Sequence, residues 1–320
     1  MRHVTIVAPC FEEEQNVEEL YVRVLAAMEH RPQYSFDLLF IDNASKDRTV
    51  EVLRGLAERD RRVRVIVNTR NFGHIRSPVY GILQSYAEAT IVIATDLQDP
   101  PELIPEFLDK WEAGYKVVMG VKSQSEESPL FYALRTAYYR TLRRLSEIEL
   151  VEHYTGFGLY DRKVVDILRA IGDPYPYFRG LIADMGFESA KVKYAQPQRR
   201  RGITKNNLYT LFDMAMLGLT NHSKVPLRLA TLVGFVTGAL SFLVGLFYLF
   251  FKLLDWNGFS VGIAPLVVGV FFFASVQLVF LGLVGEYIGS IHTQVLKRPL
   301  VVERERINFD TLPPPPRSDG

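Results

Sequence analysis

Two patterns of apolar and polar positions divide the chain. Up to about residue 225 the apolar residues fall in short runs between mixed segments, whereas Leu229 to Phe251 and Ile263 to Val284 are apolar without a single charge. Four of the short runs, HVTIVAP, FDLLFIDN, VRVIVN and TIVIATD, are rich in β-branched residues and end in polar ones. Between them, Glu13 to Met28 and Thr49 to Ala57 carry apolar residues at helical spacing, and the paired Pro100 and Pro101 suit a helix's first turn. The alternation predicts βαβ units and a parallel sheet. Ligands of such sheets lie beyond the carboxyl ends of the strands. The residues expected there are Pro9 to Glu13, Asp42 to Asp47, Asn68 to His74 and Asp96 to Asp99. Three of these clusters hold carboxylates, which suit a metal ion or ribose hydroxyls. Neither a glycine-rich dinucleotide fingerprint nor a phosphate-cradling P-loop occurs.

Each long apolar run can cross a hydrocarbon layer of about 30 Å. The Lys252 to Gly262 link is too short to carry a domain, so the runs predict a transmembrane hairpin with both chain ends on one side. Arg199, Arg200, Arg201, Lys205, Lys224 and Arg228 precede the first span, and Lys297 and Arg298 follow the second, which places these flanks in the cytoplasm. Leu208, Leu211, Phe212, Ala215, Met216 and Leu219 recur at helical spacing and predict an interfacial helix. Glu286 and Tyr287 read as interfacial anchors, and LPPPPRSDG as a solvated tail. The expected division is a catalytic domain over 1–200, an amphipathic segment over 201–227, two spans within 228–290 and a cytosolic tail over 291–320.

Composition narrows the function. The chain has 320 residues, with 37 basic side chains against 36 acidic and a net charge of +1, which argues against a general nucleic-acid binder. Cys10 is the single cysteine, so no disulfide framework is available and a reducing compartment fits. The start MRHVTIVAPC does not read as a signal peptide. His74, His153 and His292 have no metal-ligand spacing, so zinc is not expected.

The segment TDLQDPPE follows an apolar strand and precedes a helix, which puts Asp96, Gln98 and Asp99 in a turn at the ligand edge. Hard oxygen ligands there suit Mg2+ or Mn2+ bridging a diphosphate, and such an ion neutralises charge on a departing nucleoside diphosphate. Asp99 reads as the cap of the following helix, and Ser45, Asp47 and Thr49 read more as helix caps than as ligand contacts.

PCFEEEQNV, FIDNASKDRTVEVL, RNFGHIRSP and ATDLQDPPEL resemble the successive motifs of the inverting GT-A glycosyltransferases. With the terminal hairpin, the chain is similar to the polyprenyl-phosphate glycosyltransferases, such as bactoprenol glucosyltransferases and dolichyl-phosphate mannose synthase. That resemblance implies an α/β fold of GT-A (Rossmann-like) type, with a mixed, mainly parallel sheet and helices on both faces. It implies that Pro9, Phe11, Glu13 and Asp42 hold the base and ribose of a nucleotide-sugar. Two departures stand out: Ala94 replaces an acid two residues before Asp96, and Glu12 replaces an asparagine. The metal site then rests on Asp96 and Gln98.

Further along, QRRRGITKNN resembles the family segment with Arg, Gly, Ser/Thr and Lys at fixed spacing, matched by Arg199, Gly202, Thr204 and Lys205. Beside an amphipathic stretch these residues, with Arg201, are expected to bind the phosphate of a polyprenyl phosphate acceptor, and Arg199 and Lys205 to act with Asp96 in catalysis. In TGFGLYDR, Gly156 stands where many relatives carry a candidate basic Asp. The expected activity is transfer of a sugar from a UDP- or GDP-linked donor to a polyprenyl phosphate with inversion, at the inner membrane. Interfacial and transmembrane helices leave room for a homo-oligomer. Two rivals are a processive polysaccharide synthase, whose Gln-x-x-Arg-Trp motif is absent, and a noncatalytic nucleotide-sugar-binding scaffold, which only Ala94 supports.

Overall fold

A computed structural model describes residues 1–124, 151–197, 216, 220, 223–254 and 263–309. They fall into two compact units. The first holds the described residues of Met1–Tyr139, Ile148–Asn207 and Leu296–Gly320, and the second those of Leu208–Val295.

The first unit is built on an eight-stranded sheet. In chain order its elements are β1 (Arg2–Cys10), α1 (Val17–Glu29), β2 (Tyr34–Asp42), α2 (Thr49–Arg59), β3 (Val63–Asn68), α3 (Gly73–Leu83), β4 (Ala89–Val92), a 3-10 turn (Pro101–Leu103), α4 (Ile104–Glu112), β5 (Val117–Gln124), β6 (Tyr154–Asp161), α5 (Arg162–Ile171), α6 (Phe178–Asp184) and β7 (Ser189–Ala195). The sheet order is β7-β5-β6-β4-β1-β2-β3-β8, where β8 (Glu303–Ile307) comes from the far end of the chain. The four predicted strands, β1 to β4, run parallel to one another. β6 and β8 run antiparallel to their neighbours, so the sheet is mixed and mainly parallel, as expected.

Successive residues of β1 explain why the strands read as continuous apolar runs. Val4, Ile6 and Ala8 pack into a core with Leu20 and Val24 of α1, Leu53 of α2 and Phe107 of α4. Val7, between them, faces the opposite side with Leu39, Ile41 and Ile66, where Tyr80 of α3 covers it. A second patch on that side joins Ile82 of α3 to Val164, Val165 and Leu168 of α5 and Ile182 of α6. Strands covered by helices on both faces need apolar residues at both parities.

Against the expectation of a cytosolic tail over 291–320, residues after Val295 rejoin the sheet. β8 pairs with β3, matching Ile307 to Val65 and Glu305 to Val67. The Thr69 amide donates to the Val302 carbonyl at 2.9 Å, and Asn308 Nδ2 donates to the Ala57 and Val63 carbonyls at 2.6 and 2.9 Å. ERERI has no apolar alternation to mark it as a strand; its charges suit an outer edge that must not recruit another strand. The solvated-tail residues from 310 onward lie outside the described residues.

The second unit contains α7 (Val225–Leu254) and α8 (Ile263–Val295). Stretches of 27 and 28 residues within them have mean hydropathies of 2.1 and 2.2, and neither is buried in protein. Apolar side chains exposed this way require lipid as solvent, so the chain is a membrane protein. Both helices outrun the apolar runs that announced them, since the flanking polar turns remain helical. Tyr287, expected at an interface, donates its hydroxyl to the Ser223 carbonyl at 2.6 Å. Of the predicted interfacial helix only Met216 is described, as helical, and the rest lies outside the described residues.

One contact tests the sheet directly. A Cβ built on Gly158 would lie 2.2 Å from the Val118 carbonyl oxygen of β5, a backbone atom that cannot swing away. Gly158→Ala is expected to destabilise the protein by about 3 kcal/mol or more in chemical denaturation, in the upper range for overpacking. Gly55→Ala, in α2 with open space around the new methyl, should instead stabilise by about 0.5–1 kcal/mol.

Candidate active site

The carboxyl ends of β1, β2 and β4 meet in adjacent register, Cys10 beside Asp42 and Val7 beside Val92, so the loops that follow share one edge. Each contains a non-glycine residue in the left-handed region: Glu12 at φ 57°, Ala44 at φ 64° and Leu97 at φ 60°. That conformation costs roughly 1–2 kcal/mol per residue and persists only where neighbours enforce it. The enforcing contacts are visible. The Glu12 amide donates to Ser45 Oγ at 2.8 Å, the Glu13 amide to Thr49 Oγ1 at 2.9 Å, and the Glu14 amide to Asp47 Oδ2 at 3.3 Å. Ser45, Asp47 and Thr49 therefore mainly clamp the β1 loop to the β2 loop. The capping expectation holds only for Asp47, which accepts the Thr49 amide at 3.1 Å in the first turn of α2.

The structure brings Pro9, Phe11, Glu13 and Asp42 to this edge and gives them different surroundings. Asp42 has no exposed surface, and its carboxylate accepts the Ser45 hydroxyl at 2.5 Å and the Ser45 amide at 3.0 Å. Burial raises its pKa, against the opposing pull of those Ser45 bonds. Glu13 accepts from Asn16 Nδ2 at 2.5 Å and is half-buried, as are Pro9 and Phe11. Of the four, Asp42 already spends its acceptors on shaping the loop.

The turn after β4 separates its two acids. Thr95 Oγ1 donates to the Pro9 carbonyl at 2.9 Å, fixing the turn to β1. Asp96 is half-buried, and one of its oxygens accepts the Gln98 amide at 3.2 Å. Asp99 is 6% exposed and bonded to the Tyr194 hydroxyl at 2.7 Å and the Ala94 amide at 3.3 Å. The expected cap role of Asp99 is thus corrected: it makes no side-chain cap and instead anchors the turn to β7. Burial raises the pKa of Asp99, with Asp96 adding to the shift.

No group of three His, Cys, Asp or Glu side chains poised for a metal occurs among the described residues. Asp96, half-open with an oxygen that takes no hydrogen bond among the described residues, and Gln98 fit an ion that draws most of its ligands from water and diphosphate, the habit of magnesium. Arg199, Arg201, Thr204 and Lys205 lie outside the described residues.

Several residues here have roles that the sequence did not disclose. Asn43 Nδ2 donates to Asn71 Oδ1 at 2.8 Å and to the Gly73 carbonyl at 3.2 Å, while its Oδ1 accepts from Asn68 and from the Phe72 amide. This amide network holds the loop after β3. The asparagines ending the second and third runs were its only sequence signal.

At the place of the missing base, Gly156 lies at the start of β6 with φ +105°, a conformation that an aspartate adopts only under strain. Asp161 stands at the opposite end of the sheet, paired with Ala89 at the start of β4. It caps α5 through the Lys163 amide at 3.0 Å and accepts from Trp111 Nε1 at 2.8 Å and Lys116 Nζ at 2.9 Å. Burial pushes its pKa up, but these hydrogen bonds outweigh it and hold the carboxyl below its ordinary value.

Residues 5–168 match Glycosyl transferase family 2. The chain is 35% identical over 313 residues to the uncharacterized glycosyltransferase YkcC of Bacillus subtilis, covering 97% of this chain and 96% of that protein. It is 32% identical over 297 residues to the SfII prophage-derived bactoprenol glucosyl transferase of Shigella flexneri, covering 92% and 96%. A crystal structure of Mycobacterium tuberculosis glucosyl-3-phosphoglycerate synthase aligns with a TM-score of 0.45 at 17% identity, over 68% of this chain and 78% of that one. The chain belongs to Glycosyl transferase family 2 and is a membrane glycosyltransferase.

Asp161→Asn is expected to cost about 2 kcal/mol, because one of the two acceptor oxygens becomes a donor and either the Lys163 amide, which bonds Oδ1, or Trp111 and Lys116, which share Oδ2, lose their acceptor. The folded-state pKa is depressed, so the wild-type advantage is full above about pH 4 and fades as the pH falls through the folded value. Thermal unfolding of both proteins between pH 3 and 7 checks this, and turnover of the folded variant should persist.

Proposed function

We propose that this glycosyltransferase moves a sugar from a UDP- or GDP-linked donor to the phosphate of a polyprenyl phosphate, with inversion, at the cytoplasmic face of the inner membrane. The observation that carries the reading is Asp96: a half-open carboxylate at the ligand edge of the sheet, in a chain that also carries two lipid-exposed helices. The name of the Shigella relative, a bactoprenol glucosyl transferase, supports the acceptor class. The charged flanks of the spans support a cytoplasmic catalytic domain and cytoplasmic termini.

The chemistry suits a site without a base at Gly156. A sugar hydroxyl is a poor nucleophile at neutral pH and needs deprotonation, whereas a phosphate monoester, with a second pKa of about 6, is already largely a dianion. The protein's task is to bring that oxygen behind the anomeric carbon and to screen its charge, which we assign to Arg199 and Lys205, with Arg201 and Thr204 beside them. Pro9, Phe11 and Glu13 hold the base and ribose, and Asp42 supports them through the Ser45 turn. Asp96 and Gln98 would hold a magnesium or manganese ion, which would supply charge to neutralise the leaving diphosphate.

Incubating the full-length protein with labelled nucleotide-sugars and polyprenyl phosphate should give label in a lipid extract; a polymer, or nucleotide binding without turnover, would overturn the reading. Asp96→Asn should lower transfer by at least about a hundredfold, the scale expected for loss of a key electrostatic contact. It should also weaken the response to added Mg2+ or Mn2+ in initial-rate assays. Arg199→Ala and Lys205→Ala should raise the acceptor KM or lower turnover while nucleoside diphosphate affinity, read by calorimetry, stays near wild type.

A further inference from the structure

On the face of the sheet covered by α3 and α5, the chain leaving α8 closes over a cavity of about 230 Å³. Its walls are Val79 and Leu83 of α3, Leu168 of α5, Leu181 of α6, and Pro174 and Pro176 of the loop between α5 and α6. Lys297, Arg298, Pro299 and Leu300 form the strap on its other side. α3 places Arg76, Val79 and Leu83 at i, i+3 and i+7, one helical face, so Arg76 continues the apolar wall toward the strap. Its guanidinium donates to the Pro299 carbonyl, while its Nε is buried without a hydrogen-bond partner among the described residues.

Neither Arg76 nor Arg298 forms an ion pair among the described residues. Burial, and then repulsion by Arg70, lowers the pKa of Arg76 against an opposing effect of Tyr175, with Arg298 adding least to the lowering. The one acid lining the cavity, Asp173, accepts the Tyr175 amide at 2.8 Å. A partly desolvated arginine crowded by other cations, as Arg76 is, is stabilised by an anion. The cavity is smaller than the roughly 300–1,000 Å³ usual for drug-sized ligands, and its apolar walls do not suit a nucleotide. Lys297 and Arg298 follow Val295, the last residue of the second span, by two and three positions, which keeps the rim close to the lipid headgroups.

We propose that this cavity holds one membrane lipid of net negative charge, its phosphate against Arg76 and Arg298 and the first carbons of its chain among Val79, Leu83, Leu168 and Leu181. The site is separate from the Asp96 edge and does not depend on sugar transfer. It would bind lipid in a protein that transfers nothing.

The test uses the full-length protein in phosphatidylcholine nanodiscs doped with phosphatidylglycerol that carries a diazirine near the top of one acyl chain. Mass spectrometry should find label on peptides containing Val79–Leu83, Leu168 and Leu181. Labelling should exceed that from a phosphatidylcholine probe with the same chain by about tenfold, the scale of one charge-assisted hydrogen bond. Arg298→Gln, an exposed position that no fold contact requires, should reduce labelling by a similar factor, and Arg76→Gln should reduce it further. Unlabelled phosphatidylglycerol should displace the probe, and polyprenyl phosphate as a second competitor distinguishes the source: displacement by both marks a general anionic-lipid site, and displacement by phosphatidylglycerol alone marks a glycerophospholipid site. Equal labelling by the two probes, indifference to Arg298→Gln, or displacement by inorganic phosphate alone would overturn the proposal.

Discussion

The hydrogen bonds that close the ligand edge, from the amides of residues 12–14 to the side chains of Ser45, Thr49 and Asp47, are the constraint on which the site depends. Parallel pairing of β1 with β2 sets Cys10 beside Asp42, and both chains must then turn away from the sheet within a few residues. The turns are sharp enough to force Glu12 and Ala44 into the left-handed region. A side-chain acceptor for each freed amide makes that strain tolerable, because an unpaired buried N–H would cost about as much again. Asp42 holds the arrangement from below through Ser45 and is buried there.

The same economy separates Asp96 from Asp99. Tyr194 and the Ala94 amide take both oxygens of Asp99, which fixes the turn, and Asp96 is left half-open above it. Ala94 contributes its backbone amide to this arrangement. Asp96 and Gln98 are both half-buried in the turn at this edge of the sheet. Gly156, with its positive φ, belongs to the same design, since the backbone there has no strain-free place for an aspartate.

Beyond the second membrane helix the chain makes contacts that a hydropathy profile does not register. After Val295 the chain places a carbonyl on Arg76, adds β8 beside β3, and seats Asn308 on two carbonyls of the catalytic unit. The strap is therefore part of the catalytic unit's surface, and its cations stand over an apolar cavity.

The sequence by itself determined that β1 to β4 are parallel strands, the helices α1 and α2, the two long apolar helices and the strand ends that carry Asp42 and Asp96. These follow from local periodicity, because a strand buried on both faces and a helix bathed in lipid each impose a pattern on consecutive residues. Only the tertiary structure decided that Asp99 is a buried strut, that Ser45 and Thr49 serve the neighbouring loop, that Asn43 organises an amide network, and that ERERI is a strand. In each case the partner is distant in the chain: Tyr194 lies 95 residues from Asp99, and Val65 pairs with Ile307. A polar side chain has no periodicity to betray its partner, and whether it caps, clamps or binds is settled by which donor the fold brings within about 3 Å.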